Sequence, residues 1–341
     1  PMGLKERVQQ SLRSMDPLQW LVRMIISLLE ILGKFEFPTA RRSEETPIMG
    51  NTEKRIDPIT LEVIRGAFST LADEIDTNLA RTAYSMLIYE YKDYAVGLLD
   101  SKGRLICQCT GGMPIFIADV LGAAVRDGLK VYGPENLYPG DVIITNHAAT
   151  MGQHLNNVAM YSPVFSGKKE KKLVAFVVIT AHWLDIGGRV VSSISKYATD
   201  IFQEGIQFRT IKLWSKGKPV PEIYRMIENN TRFPKLVSGD VEAQLAGCLM
   251  GCERLQALFE QYGNATLTAA VETIWNQSEA AAREAIKSIP DGLYEAESFL
   301  DDDGINLETR LPIKVAVEVT GDNMTIDFSK ISDQNFQKKI S

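Results

Sequence analysis

The sequence predicts an α+β protein in which mixed β-sheets carry packed helices and a helical region occupies the second half. Three observations point there. Leu61, Ile64, Phe68, Leu71, Ile75 and Leu79 recur at helical spacing. Between Tyr94 and Thr180, short apolar runs are separated by Gly, Pro and Asp turns, the pattern of strands joined by hairpins. Beyond residue 220 the helical period returns over 222–231, 240–262 and 265–288, the last two with amphipathic stripes.

Taken in order, the segment Leu18–Leu32 is apolar but interrupted by Arg23, Ser27 and Glu30, and is too short to span a bilayer. As a helix it would gather Leu21, Met24, Ile25, Leu28, Leu29 and Leu32 on one face, to be buried on the rest of the chain or on a partner subunit. Residues 36–56 are polar with Pro and Gly and read as a linker. Asp57-Pro58 then supplies an N-cap followed by Pro at the first helical position. AVGLL and RLICQ flank Asp100-Ser101-Lys102-Gly103 as a hairpin. A Gly-Pro loop over 110–116 leads to a helix over 117–131, and Pro139-Gly140-Asp141 turns the chain into the strand Val142–Ile144. Strands are expected at Val158–Phe165 and Leu173–Thr180, joined by a solvated lysine-rich loop. After Pro290-Asp291-Gly292, residues 293–300 and 312–328 read as strands, the latter a hairpin around Gly321-Asp322-Asn323. The expected organisation is an N-terminal helical extension (1–35), a linker (36–56), an α/β core (57–220), a helical region (221–290) and a β-hairpin region (291–341) that starts an incomplete C-terminal domain.

Composition narrows the function classes. The chain has 341 residues, with 37 Lys+Arg against 43 Asp+Glu and a net charge of −6. A mildly acidic chain without basic tracts excludes non-specific nucleic-acid binding. A hydrophobic content of 45% excludes long disordered stretches. Cys107, Cys109, Cys248 and Cys252 do not have zinc-finger spacing. Cys248 and Cys252 share a helix face and read as small buried hydrophobes. Few cysteines and no signal peptide point to the cytoplasm, without integral membrane association. No Walker A, G-x-S-x-G or G-x-G-x-x-G motif is present, so the chain shows no nucleotide site of its own. Asp301-Asp302-Asp303-Gly304 reads as a solvated turn rather than a cation site.

The chain's three histidines, His147, His154 and His182, fall within 36 residues (147 to 182 inclusive). Each follows a strand or a Gly-containing loop, and residues at neighbouring strand ends converge in space. Two imidazoles and a carboxylate suit Zn, Fe or Mn with positions left open for substrate. Separate hydrogen-bonded loop histidines are the alternative, since no spacing here is as specific as H-E-x-x-H.

From Asp57 to Gln334 the chain resembles the hydantoinase B family, which includes subunits of ATP-dependent hydantoinases, 5-oxoprolinases and acetone and acetophenone carboxylases. The resemblance is carried in order by Asp57–Ile64, Leu99–Leu105, Pro139–Asn146, Gly152-Gln153-His154-Leu155, Ala181–Gly188, Gln203–Ile206, Gly239–Gln244 and Met324–Ser329. It implies a divalent metal (Zn, Mn or Fe) held by His154 and His182. The family's aspartate position is Asn157, its Asn-Asp-Pro motif is Asn146-His147-Ala148, and Trp183 stands where a second His is frequent. Asp185 is then expected as a third ligand or ring-orienting group with a catalytic role, and His147 as a ligand or acid/base group.

The resemblance further implies a hydantoinase A-like partner that uses ATP to activate the substrate. The expected reaction is biotin-independent ketone carboxylation with bicarbonate, a leaning that rests on Val158–Phe165 and Trp183. The alternatives are ring opening of a cyclic amide and a non-catalytic scaffold role.

Overall fold

The computed structural model describes residues 56–113, 119–167, 172–193, 195, 198–302 and 307–331. The helix expected over 18–32, nearly all of the linker, the tip of the lysine-rich loop, Asp303-Gly304 and the polar ending lie outside the described residues. Those described fall into two compact units, one reaching Trp275 and the other beginning at Asn276.

The larger unit opens with α1 (Pro58–Thr82), capped as its sequence requires: Asp57 Oδ2 accepts the Thr60 N–H at 2.9 Å. After the short helix α2 (Met86–Tyr89) come β1 (Tyr94–Asp100) and β2 (Leu105–Gln108), joined by a turn in which Asp100 accepts the backbone N–H of Lys102 and Arg104. Then follow α3 (Val120–Tyr132), β3 (Val142–Thr145), the one-turn helix α4 (Ala148–Met151), β4 (Asn157–Ser166) and β5 (Lys172–His182). The unit continues through β6 (Ile211–Ser215), β7 (Lys218–Pro219), α5 (Pro221–Asn229), α6 (Pro234–Tyr262) and the first half of α7 (Asn264–Lys287).

Its seven strands form one sheet in the order β2-β1-β5-β4-β3-β6-β7, antiparallel at every pairing. The expected α+β class is observed. Both faces are covered, which is why the central strands read as continuous apolar runs. On one face α1 and α6 bury Ile75, Leu79, Val96, Leu98, Val158, Met160, Val177, Ile179 and Trp183. On the other, α3 buries Leu99, Ala159, Tyr161, Phe176 and Val178. Gly247 and Gly251 let α6 lie close on the sheet: a Cβ would meet Ile179 Cδ1 at 2.7 Å from the first and Val177 Cγ1 at 2.9 Å from the second. Cys248 and Cys252 lie between helix and sheet with their thiols against the carbonyls of Met160 and Ser162. Burial pushes the Cys252 thiol up to about 12, the state of a packed hydrophobe rather than a reactive thiolate.

In the second unit, β8 (Gly292–Leu300), β9 (Leu311–Thr320) and β10 (Asn323–Asp327) form an antiparallel sheet in the order β10-β9-β8. The expected hairpin turns at Gly321, whose φ of +61° suits glycine. Val315, Val317 and Val319 are buried with Ile286, Ile289 and Tyr294 against them. Among the described residues, no helix is long and apolar enough to cross a membrane.

Two glycines in helices test the packing in opposite directions. At Gly128 in α3 a Cβ would overlap the buried Tyr161 hydroxyl, so Gly128→Ala is expected to destabilise the protein by about 1–3 kcal/mol. Gly66 in α1 has nothing within 4 Å of the same position, and Gly66→Ala is expected to stabilise by about 0.5–1 kcal/mol. Urea denaturation midpoints of the two variants would read both effects.

Candidate metal centre

Three neighbouring strands place a row of polar side chains at one end of the sheet. Asn157 opens β4 and pairs with His182 at the end of β5. On the other side of β5, Tyr94 pairs with Ala181, and the His182 N–H donates to the Asp93 carbonyl at 3.0 Å, extending the ladder by one residue. Residues directly opposite on antiparallel strands project from the same face, so Asp93, His182 and Asn157 stand side by side. Two residues further along β5, Thr180 lies between Ala95 and Ala159 on that same face.

His154 reaches the row from the turn before β4, where its carbonyl accepts the Asn157 N–H at 3.2 Å. Two asparagines hold this turn. Asn146 donates to the carbonyls of Leu155 (2.8 Å) and Ile206 (2.9 Å) and accepts the Phe208 N–H at 2.6 Å. Asn156 donates to the carbonyls of Trp183 (2.9 Å) and Ser192 (3.1 Å). The His154 and His182 rings consequently lie 4.9 Å apart between centroids, tilted by 55°. Two imidazoles bound to one ion through bonds of about 2.0–2.1 Å have centres about 5 Å apart.

Buried polar atoms are normally hydrogen-bonded. Five buried side-chain nitrogens and oxygens of this corner make no hydrogen bond among the described residues: Gln153 Oε1, His154 Nδ1, Asn157 Oδ1, Thr180 Oγ1 and His182 Nδ1. Their concentration marks a place built for a polar ligand. Two imidazole nitrogens and an amide oxygen fit a divalent ion of borderline character in chemical kind. Among the described residues no three His, Cys, Asp or Glu side chains are already grouped to hold a metal.

The other sequence candidates are placed elsewhere. Asp185 is fully buried and fully engaged: Oδ1 accepts the Gly187 N–H at 2.9 Å, and Oδ2 accepts the Ser192 N–H at 3.0 Å and Arg232 Nη1 at 2.8 Å. Burial raises its pKa, but the hydrogen bonds from Gly187, Arg232 and Ser192 outweigh this and hold it below the usual carboxylate range. Arg232 also donates to the carbonyls of Val190 and Gly188, so Asp185 and Arg232 together tie down the loop after β5. Asp185 therefore organises that loop. Gly187 and Gly188 are required there, with φ of +88° and +86° and backbone oxygens 2.7 Å from where their Cβ atoms would lie. His147 sits at the start of α4 with Nδ1 2.9 Å from Thr150 Oγ1. Neither residue joins His154 and His182 in a three-residue metal group. Trp183, next to His182, points to the opposite face, where its Nε1 donates to Gln244 Oε1 at 3.0 Å.

Sequence reasoning missed Asp93 and Arg232. Asp93 Oδ2 lies 3.1 Å from His182 Nδ1. Only strand register brings them together, 89 positions apart (182 − 93).

Burial, then the neighbouring His182, pushes the His154 pKa below its ordinary 6.5, against an upward pull from Asp93. The unfolded chain therefore binds the proton more readily. The stability tied to this group is complete above about pH 6.5 and is lost as the pH falls through the lower folded value. In chelator-treated protein, His154→Gln is expected to lose less stability than the wild type between about pH 7.5 and about pH 5.5, read from denaturation midpoints.

Comparison with known proteins places this corner in context. The family model for hydantoinase B/oxoprolinase matches residues 57–338. A protein of Pseudomonas sp. (strain NS671), provisionally named as the B component of a D-/L-hydantoinase, is 36% identical over 84% of this chain and 49% of its own length. The beta chain of the caprolactamase of Pseudomonas jessenii is 32% identical over 78% of this chain and 45% of its own. The crystal structure of the ATP-dependent caprolactamase from P. jessenii superposes with a TM-score of 0.71 at 31% identity, covering 80% of this chain and 46% of that one. An acetone carboxylase structure gives a TM-score of 0.72 at 16% identity, covering 80% of this chain and 37% of that one, which shows a shared fold alone. The chain spans about half the length of the curated relatives it matches. With a family match running from the cap of α1 to beyond β10, and with the family's histidine elements meeting at one end of the sheet, the chain belongs to the hydantoinase B/oxoprolinase family.

Proposed function

We propose that this chain supplies the metal-binding half of a B-type component that opens a cyclic amide in an ATP-dependent complex, with ATP used by a hydantoinase A-like partner in the cytoplasm. The observation that carries this reading is the His154–His182 ring pair amid buried polar atoms that make no hydrogen bond. The relatives above 30% identity support the substrate class, since hydantoin and caprolactam are both cyclic amides.

His154, His182 and the Asn157 amide oxygen would hold a Zn, Mn or Fe ion. Such an ion, when bound, polarises a carbonyl oxygen and stabilises the negative charge that develops on it. The chain's own part is placement. Asn146 and Asn156 fix the turn that carries His154, so little reorganisation remains when substrate arrives. The Asp185–Arg232 pair fixes the loop beside the row. His147, whose Nδ1 lies 2.9 Å from Thr150 Oγ1, is the proposed acid/base group.

Ketone carboxylation with bicarbonate is the second reading. Trp183, one of the residues behind the leaning toward it, is turned to the opposite face of the sheet. The test is ATP-dependent turnover by the complete complex with its A-type partner, offered cyclic amides or ketones plus bicarbonate. Ring opening of a cyclic amide is expected, and His182→Ala in a folded complex is expected to lower kcat by at least about 100-fold. Turnover of ketones alone would favour carboxylation, and unchanged turnover in the variant would favour a scaffold role.

A further inference from the structure

At the opposite end of the sheet from the histidines, the chain forms a cleft of about 660 Å³. Asn157 and His182 pair at one end of β4 and β5, and Ser166 and Lys172 pair at the other. At about 3.4 Å per residue, the strands set the cleft about 30 Å from the ring pair. Its floor is apolar: Leu137 and Phe165 are buried, and Leu173 packs beside them on the core. One wall is the Pro134–Pro139 segment after α3, and the turn between β1 and β2 adds Ser101. These walls are already fixed. The Tyr138 N–H donates to Asp141 Oδ2 at 2.9 Å, and Lys212 Nζ reaches the same oxygen at 2.8 Å and the Asn136 carbonyl at 2.9 Å. The ammonium groups of Lys212 and Lys216 lie 5.3 and 4.0 Å from the centre of the Tyr138 ring. A cleft held this way loses little freedom when a ligand enters. Two charged side chains line it, Glu135 on the Pro-rich wall and Lys172 at the start of β5. Glu135 Oε1 accepts a hydrogen bond from Asn136 Nδ2 at 3.4 Å, and neither Glu135 nor Lys172 makes an ion pair among the described residues.

A simple anion would meet Glu135 as a like charge, and a simple cation would meet Lys172 in the same way. An uncharged apolar molecule would desolvate both groups without pairing either. A molecule with a carboxylate and an ammonium group on one aliphatic chain satisfies the two charges and covers the floor. The volume suits a small molecule rather than a protein segment. We propose that this cleft is a second binding site, which takes an aliphatic amino acid with its carboxylate at Lys172 and its ammonium group at Glu135. This class connects to the reaction above. Addition of water across the C–N bond of a lactam turns the carbonyl carbon into a carboxylate and the ring nitrogen into an ammonium group on the same chain. The cleft then holds the product of ring opening far from the rings, a link that rests on the ring-opening reading, whereas the match of charges does not.

The experiment is calorimetric titration of the chelator-treated full chain with ε-aminocaproate, with hexanoate and hexylamine as single-charge controls. Lys172→Gln, Glu135→Gln and His182→Ala are titrated alongside, each checked for folding by circular dichroism. Binding of one ε-aminocaproate per chain is expected, with each control weaker by about 10-fold. Lys172→Gln and Glu135→Gln should each weaken binding by about 10-fold, and His182→Ala should leave it unchanged. No binding by the wild type, or binding that survives both charge variants, would overturn the proposal and leave the ring-opening reading standing. Loss in His182→Ala with retention in Lys172→Gln would also overturn it, because the molecule would then sit at the rings. Turnover of ketones alone by the complete complex, with ε-aminocaproate still bound through Lys172 and Glu135, would support the site and remove only its link to ring opening.

Discussion

A shift of one residue in the pairing of β4 with β5 would exchange the two sides of every residue on the strand. His182 would enter the core beneath α6, and Trp183 would emerge where the rings now meet. The sheet resists this through Gln244. From α6 it accepts the Trp183 indole N–H and donates to the carbonyls of Val158 and Ile179, at 2.9 and 2.6 Å, bridging both strands at once. All of these groups are buried, so a slipped register would leave several polar atoms unpaired, each at a cost of about 1–3 kcal/mol. The position of the histidine pair is thus set on the far face of the sheet from the pair itself.

The same economy governs the motif that contains Gln244. Gly239 lies against the Tyr84 ring, where a Cβ would overlap it. Asp240 accepts the backbone N–H groups of Tyr84 (2.7 Å) and Ser85 (3.0 Å) at the start of α2. Burial raises the Asp240 pKa in spite of those bonds, so the carboxylate is kept for the connection it caps rather than for favourable solvation. That connection runs through α2 to Lys92 and Asp93. The Gly239–Gln244 stretch therefore steadies both the strand that ends in His182 and the segment that delivers Asp93.

Much of the fold was legible in the sequence because local rules and burial agree. Asp57-Pro58 starts α1, the Asp100–Gly103 turn joins β1 to β2, and Gly321 turns β9 into β10, each for the reason its residues suggest. The grouping of His154, His182 and Asn157 was legible through the family elements. Asp93 and Arg232 were not, because neither lies in a motif with the histidines. Their relation to the site depends on strand register in one case and on the approach of the α5–α6 connection in the other. Asp185 misled for a related reason. Its spacing from His182 suits a ligand, but Arg232, 47 residues on, claims its carboxylate, and no local pattern announces that.

Arg232 sits just before α6, and its guanidinium reaches the carbonyls of Gly188 and Val190 as well as Asp185. The loop after β5 and the α5–α6 connection are consequently one cooperative piece: neither can open while the other stays closed without stranding the buried Asp185 charge. Since Asn156 is anchored to Ser192 within that loop, the hinge of the His154 turn is joined to the same piece. Conformational freedom at the ring pair is therefore governed from a helix junction that touches neither ring, and a partner that grips that junction would set the rigidity of the centre without entering it.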